Sequence, residues 1–191
     1  MFSYWYSLYA FVIAVIISIL EIQIEGKNGW AKNLPCWRPK QKRLPVKIIS
    51  LFQGGKEVTG YHLALNLLEV AIFHFPFFAG ADWNIARQMQ ILSCLPLFWI
   101  LQDFTWFVWN PFYGLKRFNA RSIPWHKKWA GPVPADYLVG ILFSVIFAYG
   151  TMIFKGFPAL KWWGVSALIL AGAAAISCFA SIVLQKIKSR N

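Results

Sequence analysis

The chain is dominated by five long apolar stretches, which are separated by shorter polar segments. Each stretch has about 20 residues, the length at which an apolar helix crosses the hydrocarbon core of a bilayer. The apolar residues are continuous and do not alternate with a period of two, so the pattern excludes the strands of a membrane β-barrel. It predicts an all-α, polytopic transmembrane helical bundle with spans at residues 2–24, 61–80, 89–109, 137–154 and 160–184.

Composition places the chain in the same class. Hydrophobic residues make up 58% and charged residues 14% of its 191 residues, whereas about a quarter of the residues in soluble domains are charged. We interpret residues 1–191 as a single integral membrane domain with two basic loops, at 25–60 and 110–136. The first loop contains a short amphipathic segment near residues 45–52, which we expect to lie along the inner headgroup region as a helix.

The basic residues are distributed unevenly along the chain. Of the 19 Lys and Arg, 16 lie in the loop 25–60, the loop 110–136 and the tail after residue 184. Cytoplasmic segments of membrane proteins carry such an excess. The pattern therefore predicts an N-terminus outside and a C-terminus in the cytoplasm. The expected location is a bacterial inner membrane, with the endoplasmic reticulum as the alternative.

The formal net charge of +12 also indicates which kinds of partner the protein could bind. A nucleic acid is not predicted, because the chain has no basic helix, zinc-finger spacing or RNA-binding signature. We expect the basic loops to contact the anionic headgroups of membrane lipids. Small residues at helical spacing in the first and last spans favour helix packing, so partner subunits or a homo-oligomer are also expected. These residues are Ser3, Ser7, Ala10, Ala14, Ser18, Ala167, Ala171, Ala175 and Cys178.

Glu69 and Asp103 each lie inside an apolar span of a chain that has only seven acidic residues. A carboxyl group in hydrocarbon is costly unless it is paired, protonated or bound to a metal, so both are candidates for a functional site. The two spans run in opposite directions, and the rise of about 1.5 Å per residue places both carboxyl groups at similar depth. That depth is nearer to the cytoplasm than to the outer surface.

Polar and aromatic residues share helix faces with these two acids. The first face combines His62, Asn66 and Glu69, and the second combines Trp99, Asp103, Trp106 and Asn110. His126 lies in the aromatic loop 110–136, which we expect to fold back as a lid. The predicted catalytic residues are Glu69, Asp103, His62 and His126, and the predicted ligand-binding residues are Trp99, Trp106, Asn66 and Asn110.

Glu21 and Glu25 continue the small-residue face of the first span toward the cytoplasm. Carboxylates combined with histidine suit a transition metal such as Fe, Zn or Mn. One ion shared by His62 and Glu69 would be strained, because seven residues separate them, which is about 10 Å along a helix. The candidate metal ligands are Glu21, Glu25, His62, Glu69, Asp103 and His126.

Two metal-free interpretations stay open. Glu69 and Asp103 either line an aromatic cavity as proton acceptors or form a hydrogen-bonded pair that only fixes helix register. For the whole protein, the pattern favours an enzyme that acts on a lipid or other amphipathic substrate, without deciding whether a reaction takes place. The alternatives are a protein that binds or transports a small ligand, cation or proton, and an accessory subunit of a larger membrane complex.

Overall fold

The computed structural model describes residues 2–188 of the chain. Within them lie six α-helices, which are α1 (Trp5–Glu25), α2 (Leu44–Phe52), α3 (Gly60–Phe78), α4 (Ile85–Trp109), α5 (Ala135–Lys155) and α6 (Phe157–Lys188). All of them except α2 are long and apolar enough to cross a membrane. The prediction of a helical protein with five candidate spans is confirmed.

The helices differ from the predicted spans mainly at their ends. α4 begins at Ile85 and not at residue 89, because the Asn84 side chain accepts a hydrogen bond from the Arg87 N–H at 2.9 Å. Such a cap satisfies a donor that the first helical turn leaves free. α5 ends at Lys155, and the next residue, Gly156, has a positive φ of 70° that breaks the helix before α6. Capping residues set these ends, whereas hydropathy marks only the apolar part of each helix.

α4 is the central helix of the bundle. It packs against α1, α3, α5 and α6 and is the most extensively buried of the candidate spans. Apolar side chains predominate in the half of the bundle that is farther from the basic loops. They include Ala10, Ala14, Phe73, Phe98 and Trp162. The polar side chains of Gln90 and Ser93 are also buried there.

The small-residue face of α1 packs within the chain. Its buried members are Ser7, Ala10, Ala14 and Ser18. The Ser18 hydroxyl lies 2.7 Å from the Thr105 hydroxyl of α4, a polar contact of the kind that joins helices in lipid. The corresponding face of α6 is more open, since Ala171 and Ala175 are exposed.

The segment between α4 and α5 folds back onto the ends of α1 and α4. It contains a 3₁₀ turn (Leu115–Arg117) and two short antiparallel strands, β1 (Trp129–Ala130) and β2 (Val133–Pro134). Within residues 2–188, strand structure is confined to this hairpin. Ile123 of the segment is fully buried and packs in one cluster with Ile22 of α1. The segment therefore covers the basic end of the bundle.

Gly29→Ala is expected to destabilise this cover. A Cβ at Gly29 would lie 2.5 Å from Cη2 of Trp125, so the indole would have to move, at a cost of about 1–3 kcal/mol. Unfolding of the full chain in detergent measures the change. Gly172→Ala is the matched control, because its Cβ meets no atom within 4 Å and alanine favours a helix by about 1 kcal/mol. Equal destabilisation by both substitutions would contradict the expectation.

Candidate functional site

Three candidate metal ligands come together where α1 ends and α3 begins. Glu21 and Glu25 lie one turn apart at the end of α1, and His62 lies in the first turn of α3. One ligand atom from each of the three lies within 4.8 Å of the others, and His62 Nε2 is 3.6 Å from Glu25 Oε1. All three residues are buried, with exposures of 5–7%. We call Glu21, Glu25 and His62 the acid–histidine trio.

Neighbouring groups hold both carboxylates of the trio by hydrogen bonds. Gln102 Nε2 donates to Glu21 Oε2, and the Tyr61 hydroxyl lies 3.4 Å from Glu21 Oε1. The backbone N–H of Ala31 donates to Glu25 Oε1 at 2.5 Å. Both carboxylates are therefore held in fixed orientations by hydrogen bonds.

His62 has polar contacts at both ring nitrogens and an aromatic contact on one face of its ring. Its Nδ1 lies 2.8 Å from the Thr59 hydroxyl, while Nε2 faces Glu25. The Trp30 ring stacks on the imidazole at a centroid distance of 3.9 Å and an angle of 12°. Trp30 and Ala31 both adopt left-handed backbone, with φ of 58° and 50°. Strain of this kind costs about 1–3 kcal/mol per residue and clusters at functional sites.

The trio carries two carboxylates with little opposing charge. No Lys or Arg nitrogen in residues 2–188 lies within 4.0 Å of a carboxylate oxygen of Glu21 or Glu25. Two buried carboxylates repel each other and are poorly solvated, so at least one needs a proton or a cation nearby. A divalent cation held by the trio would neutralise both.

A second group of charged side chains lies beside the trio. His126 lies between two carboxylates, with Nε2 3.1 Å from Asp103 Oδ2 and Nδ1 3.0 Å from Asp136 Oδ2. Tyr137 donates to Asp103 Oδ2 at 2.5 Å, and Lys56 Nζ is 3.1 Å from Asp136 Oδ2. We call these five residues the imidazole–aspartate chain.

Charge in the imidazole–aspartate chain is balanced when His126 is protonated. Both ring nitrogens face carboxylate oxygens, and an ionised carboxylate can only accept, so each nitrogen donates a proton. Burial lowers the pKa of His126, but the charge of Asp103 and the hydrogen bonds to Asp103 and Asp136 outweigh it and raise the pKa above its ordinary value. The positive charges of Lys56 and His126 then offset the two aspartates.

A cavity of about 50 Å³ joins the two groups. The whole trio lines it, together with Asp103, whose side chain keeps 22% exposure whereas that of His126 has none. His126 and Tyr137 both contact Oδ2 of Asp103, and no residue among 2–188 donates to its Oδ1. This volume holds an ion or a few water molecules but is too small for a lipid headgroup.

The predicted catalytic residues fall into separate groups. Asp103 contacts His126 directly, and His62 lies with Glu21 and Glu25 in the trio. Glu69 is buried elsewhere on α3, where it accepts a hydrogen bond from Trp99 Nε1 at 2.8 Å, and it does not line the cavity. Within residues 2–188, Glu69 and Asp103 form no hydrogen bond with each other. Similar depth along two helices does not bring their side chains together.

The predicted ligand-binding residues also differ in their positions. Trp106 lines the cavity, whereas Trp99 is engaged with Glu69. Asn110 ends α4, and its side chain donates to the backbone oxygen of Gly26 at 2.9 Å. Asn66 is half-buried on α3 and lies outside both groups.

Several residues of the site lie outside the predicted set. They are Lys56, Thr59, Gln102, Asp136 and Tyr137. Thr59 has a recognisable signal, because a threonine three residues before His62 at the start of an apolar run is a helix N-cap pattern. Gln102 and Tyr137 lie inside apolar spans, and the sequence contains no signal that pairs them with particular acids.

Comparison of the chain with protein-family models, with curated proteins and with solved structures finds no match. A function therefore has to be argued from the contacts, charges and cavities of this chain.

The stability of the protein is expected to fall as the pH rises through the raised pKa of His126. The folded state holds this proton more tightly than the unfolded state. The stabilisation is therefore complete below the unfolded-state pKa of about 6.5 and is lost above the folded-state value. Thermal unfolding in detergent, followed from about pH 6 to pH 9, measures this loss of stability. His126→Gln should remove the part of this dependence that comes from the His126 proton. His74→Gln should keep it, because His74 contacts Val70 and Gln88 instead.

Two substitutions at Glu69 distinguish a structural from a ligating role. Glu69→Gln should preserve stability and metal content, because the amide oxygen still accepts the Trp99 N–H. Glu69→Leu should destabilise the protein by about 1–3 kcal/mol, because a buried donor loses its acceptor. Unfolding in detergent and elemental analysis are the measurements. Loss of bound metal in a folded Glu69→Gln protein would instead assign Glu69 to the metal site.

Proposed function

We propose that the chain is an integral membrane protein that binds a divalent transition metal through the acid–histidine trio and uses it in an enzymatic reaction. The substrate is a lipid or another amphipathic molecule. The observation that carries the proposal is the trio itself, whose ligand atoms lie within 4.8 Å of one another on two helices. Catalytic zinc sites have three protein ligands, His₂Glu among the known sets, and keep a further position for water or substrate. The metal is Fe, Zn or Mn by ligand type.

The imidazole–aspartate chain would orient water at this site. A metal ion held by the trio would polarise a bound water or a substrate oxygen. Asp103 lines the same cavity, and its Oδ1, to which no residue among 2–188 donates, would accept a hydrogen bond from a water held there. His126 holds the other oxygen, and Asp136 and Lys56 hold His126 in turn. Trp30 and Trp106 cover the cavity and limit the access of bulk water.

The same contacts disfavour transport of a cation or proton across the membrane. Beyond the trio, buried apolar side chains such as Ala14, Phe73 and Phe98, each no more than 1% exposed, lie between the site and the buried polar residues Gln90 and Ser93. A transport path requires polar groups or water through this layer. Binding at one end of the bundle is therefore better supported than passage through it.

The orientation and surroundings are part of the proposal. The basic loops and the site lie at the same end of the helices, and an excess of Lys and Arg favours the cytoplasmic side. We assign the protein to a bacterial inner membrane, with the N-terminus outside and anionic headgroups near the site. The exposed small residues Ala171 and Ala175 of α6 suit contact with a further transmembrane helix, from a second copy or a partner subunit.

Metal analysis of the purified full chain tests the proposal. The protein in detergent is loaded separately with Zn, Fe or Mn, dialysed, and assayed for bound metal. We expect a stoichiometric transition metal in the wild type and its loss in Glu21→Gln, Glu25→Gln and His62→Gln. Thr59→Ala should weaken binding by roughly 10- to 100-fold, because Thr59 only orients His62.

Asp82→Asn is the matched control. It removes one acidic group at the opposite end of α4, where the Asp82 side chain is 93% exposed, and it should leave metal binding unchanged. A wild-type protein that stays metal-free after loading with each ion contradicts the proposal. Retention of metal by a folded protein that carries all three substitutions, Glu21→Gln, Glu25→Gln and His62→Gln, also contradicts the proposal.

A further inference from the structure

A second and larger cavity lies at the same end of the bundle. Its volume is about 320 Å³, which falls at the lower end of the range for small-molecule sites. It is therefore large enough for a headgroup that the first cavity cannot hold. Its lining residues are Lys27, Phe112, Tyr113, Arg117 and Ser122. We call it the basic pocket.

The cations of the basic pocket have no acidic partner. In residues 2–188, the ion pairs of Lys and Arg with acids involve Arg38, Lys56 and Arg87, but neither Lys27 nor Arg117. No acidic residue lines the pocket. Two cations that face one cavity repel each other, and an anion bound between them relieves the repulsion.

Hydrogen bonds fix the walls of the basic pocket. The Tyr113 hydroxyl donates to the backbone oxygen of Lys27 at 3.0 Å, and Arg117 Nη1 donates to the backbone oxygen of Phe112 at 2.7 Å. The first contact joins the end of α1 to the segment that follows α4. The second orients the guanidinium while leaving its other N–H groups to a ligand. The Lys27 backbone and the Arg117 guanidinium are thus held in place before a ligand arrives, which lowers part of the entropic cost of binding.

We propose that the basic pocket binds the phosphate monoester headgroup of the amphipathic substrate. Arg117 offers a planar fork of N–H donors that matches phosphate oxygens, and Lys27 adds a point charge. The Ser122 hydroxyl is a further donor in the lining. Phe112, which is 48% exposed, gives the rim an apolar surface that suits the chain of a lipid-like molecule.

Two aromatic rings form a wall between this pocket and the first cavity. Trp106 lines the first cavity, Tyr113 lines the basic pocket, and the two rings are 5.2 Å apart between centroids. The indole N–H of Trp106 is buried and has no acceptor in residues 2–188. A phosphate held at Lys27 and Arg117 would place the neighbouring part of the same molecule beside this wall. That placement rests on the proposed function, whereas the anion site itself does not.

Calorimetric titration of the full chain in phosphatidylcholine nanodiscs tests the inference. The probes are phosphatidic acid with two six-carbon chains, inorganic phosphate, and phosphatidylcholine with the same short chains. We expect saturable binding of the short-chain phosphatidic acid and weaker binding of the short-chain phosphatidylcholine, whose phosphate is a diester. Tighter binding of the phosphatidic acid than of inorganic phosphate identifies a lipid headgroup as the ligand. Equal binding identifies a free phosphate at the same site.

The double substitution Lys27→Gln and Arg117→Gln should weaken phosphatidic acid binding by roughly 10- to 100-fold, as expected for loss of charged hydrogen bonds. Arg117→Lys, with Lys27 unchanged, keeps a positive charge and should weaken phosphatidic acid binding less than the double substitution does. The matched control is Lys42→Gln with Arg43→Gln, which removes the same charges from exposed positions outside the pocket and should bind as the wild type does.

Two results would overturn the inference. One is unchanged binding in the double variant of Lys27 and Arg117, and the other is an equal loss in the matched control, which would indicate general electrostatic attraction. Glu25→Gln separates the two proposals, because it should lose metal while it keeps phosphatidic acid binding. If the wild-type protein binds no metal but still binds phosphatidic acid, the metal site is refuted and the anion site is supported.

Discussion

The buried imidazole of His126 is the contact on which the basic end of the bundle depends. It joins Asp103 of α4 to Asp136 of α5, and Lys56 extends the same line of contacts from the segment that precedes α3. Breaking a buried ion pair leaves an uncompensated charge and typically costs about 3–5 kcal/mol. These groups therefore stabilise one another. When they form, they also fix the folded-back segment and place Asp103 in the wall of the first cavity.

The same unit determines the charge around the acid–histidine trio. The Lys56 ammonium pairs with Asp136 and lies 4.5 Å from the centroid of Trp30, the ring that stacks on His62. The Lys56 ammonium thus pairs with Asp136 and contacts the Trp30 ring. Among residues 2–188, no Lys or Arg nitrogen lies within 4.0 Å of the carboxylates of Glu21 and Glu25. The proposed cation site rests on this distribution of charge as much as on the spacing of the three side chains.

The apolar pattern was sufficient to predict the five spans, because a bilayer imposes helix length and continuous hydropathy on the chain. It also located the acids and histidines that had to be neutralised in the interior. Their pairing was not predictable. Glu69 and Asp103 lie at a similar depth but face different neighbours. The sequence pattern assigns Asp136 only to a basic loop and does not indicate its contact with His126. A helical wheel describes one helix at a time, whereas pairing depends on how α1, α3, α4 and α5 pack together.

The two cavities at this end carry opposite charge, although their residues are close in sequence. Glu25 lines the first cavity, and Lys27, two positions later, lines the second. Gly26, with a φ of 59°, turns the chain between them, and the rings of Trp106 and Tyr113 lie between the cavities. The turn and the two rings separate the lysine from the glutamates. An acidic cavity and a basic pocket therefore lie side by side at this end of the bundle.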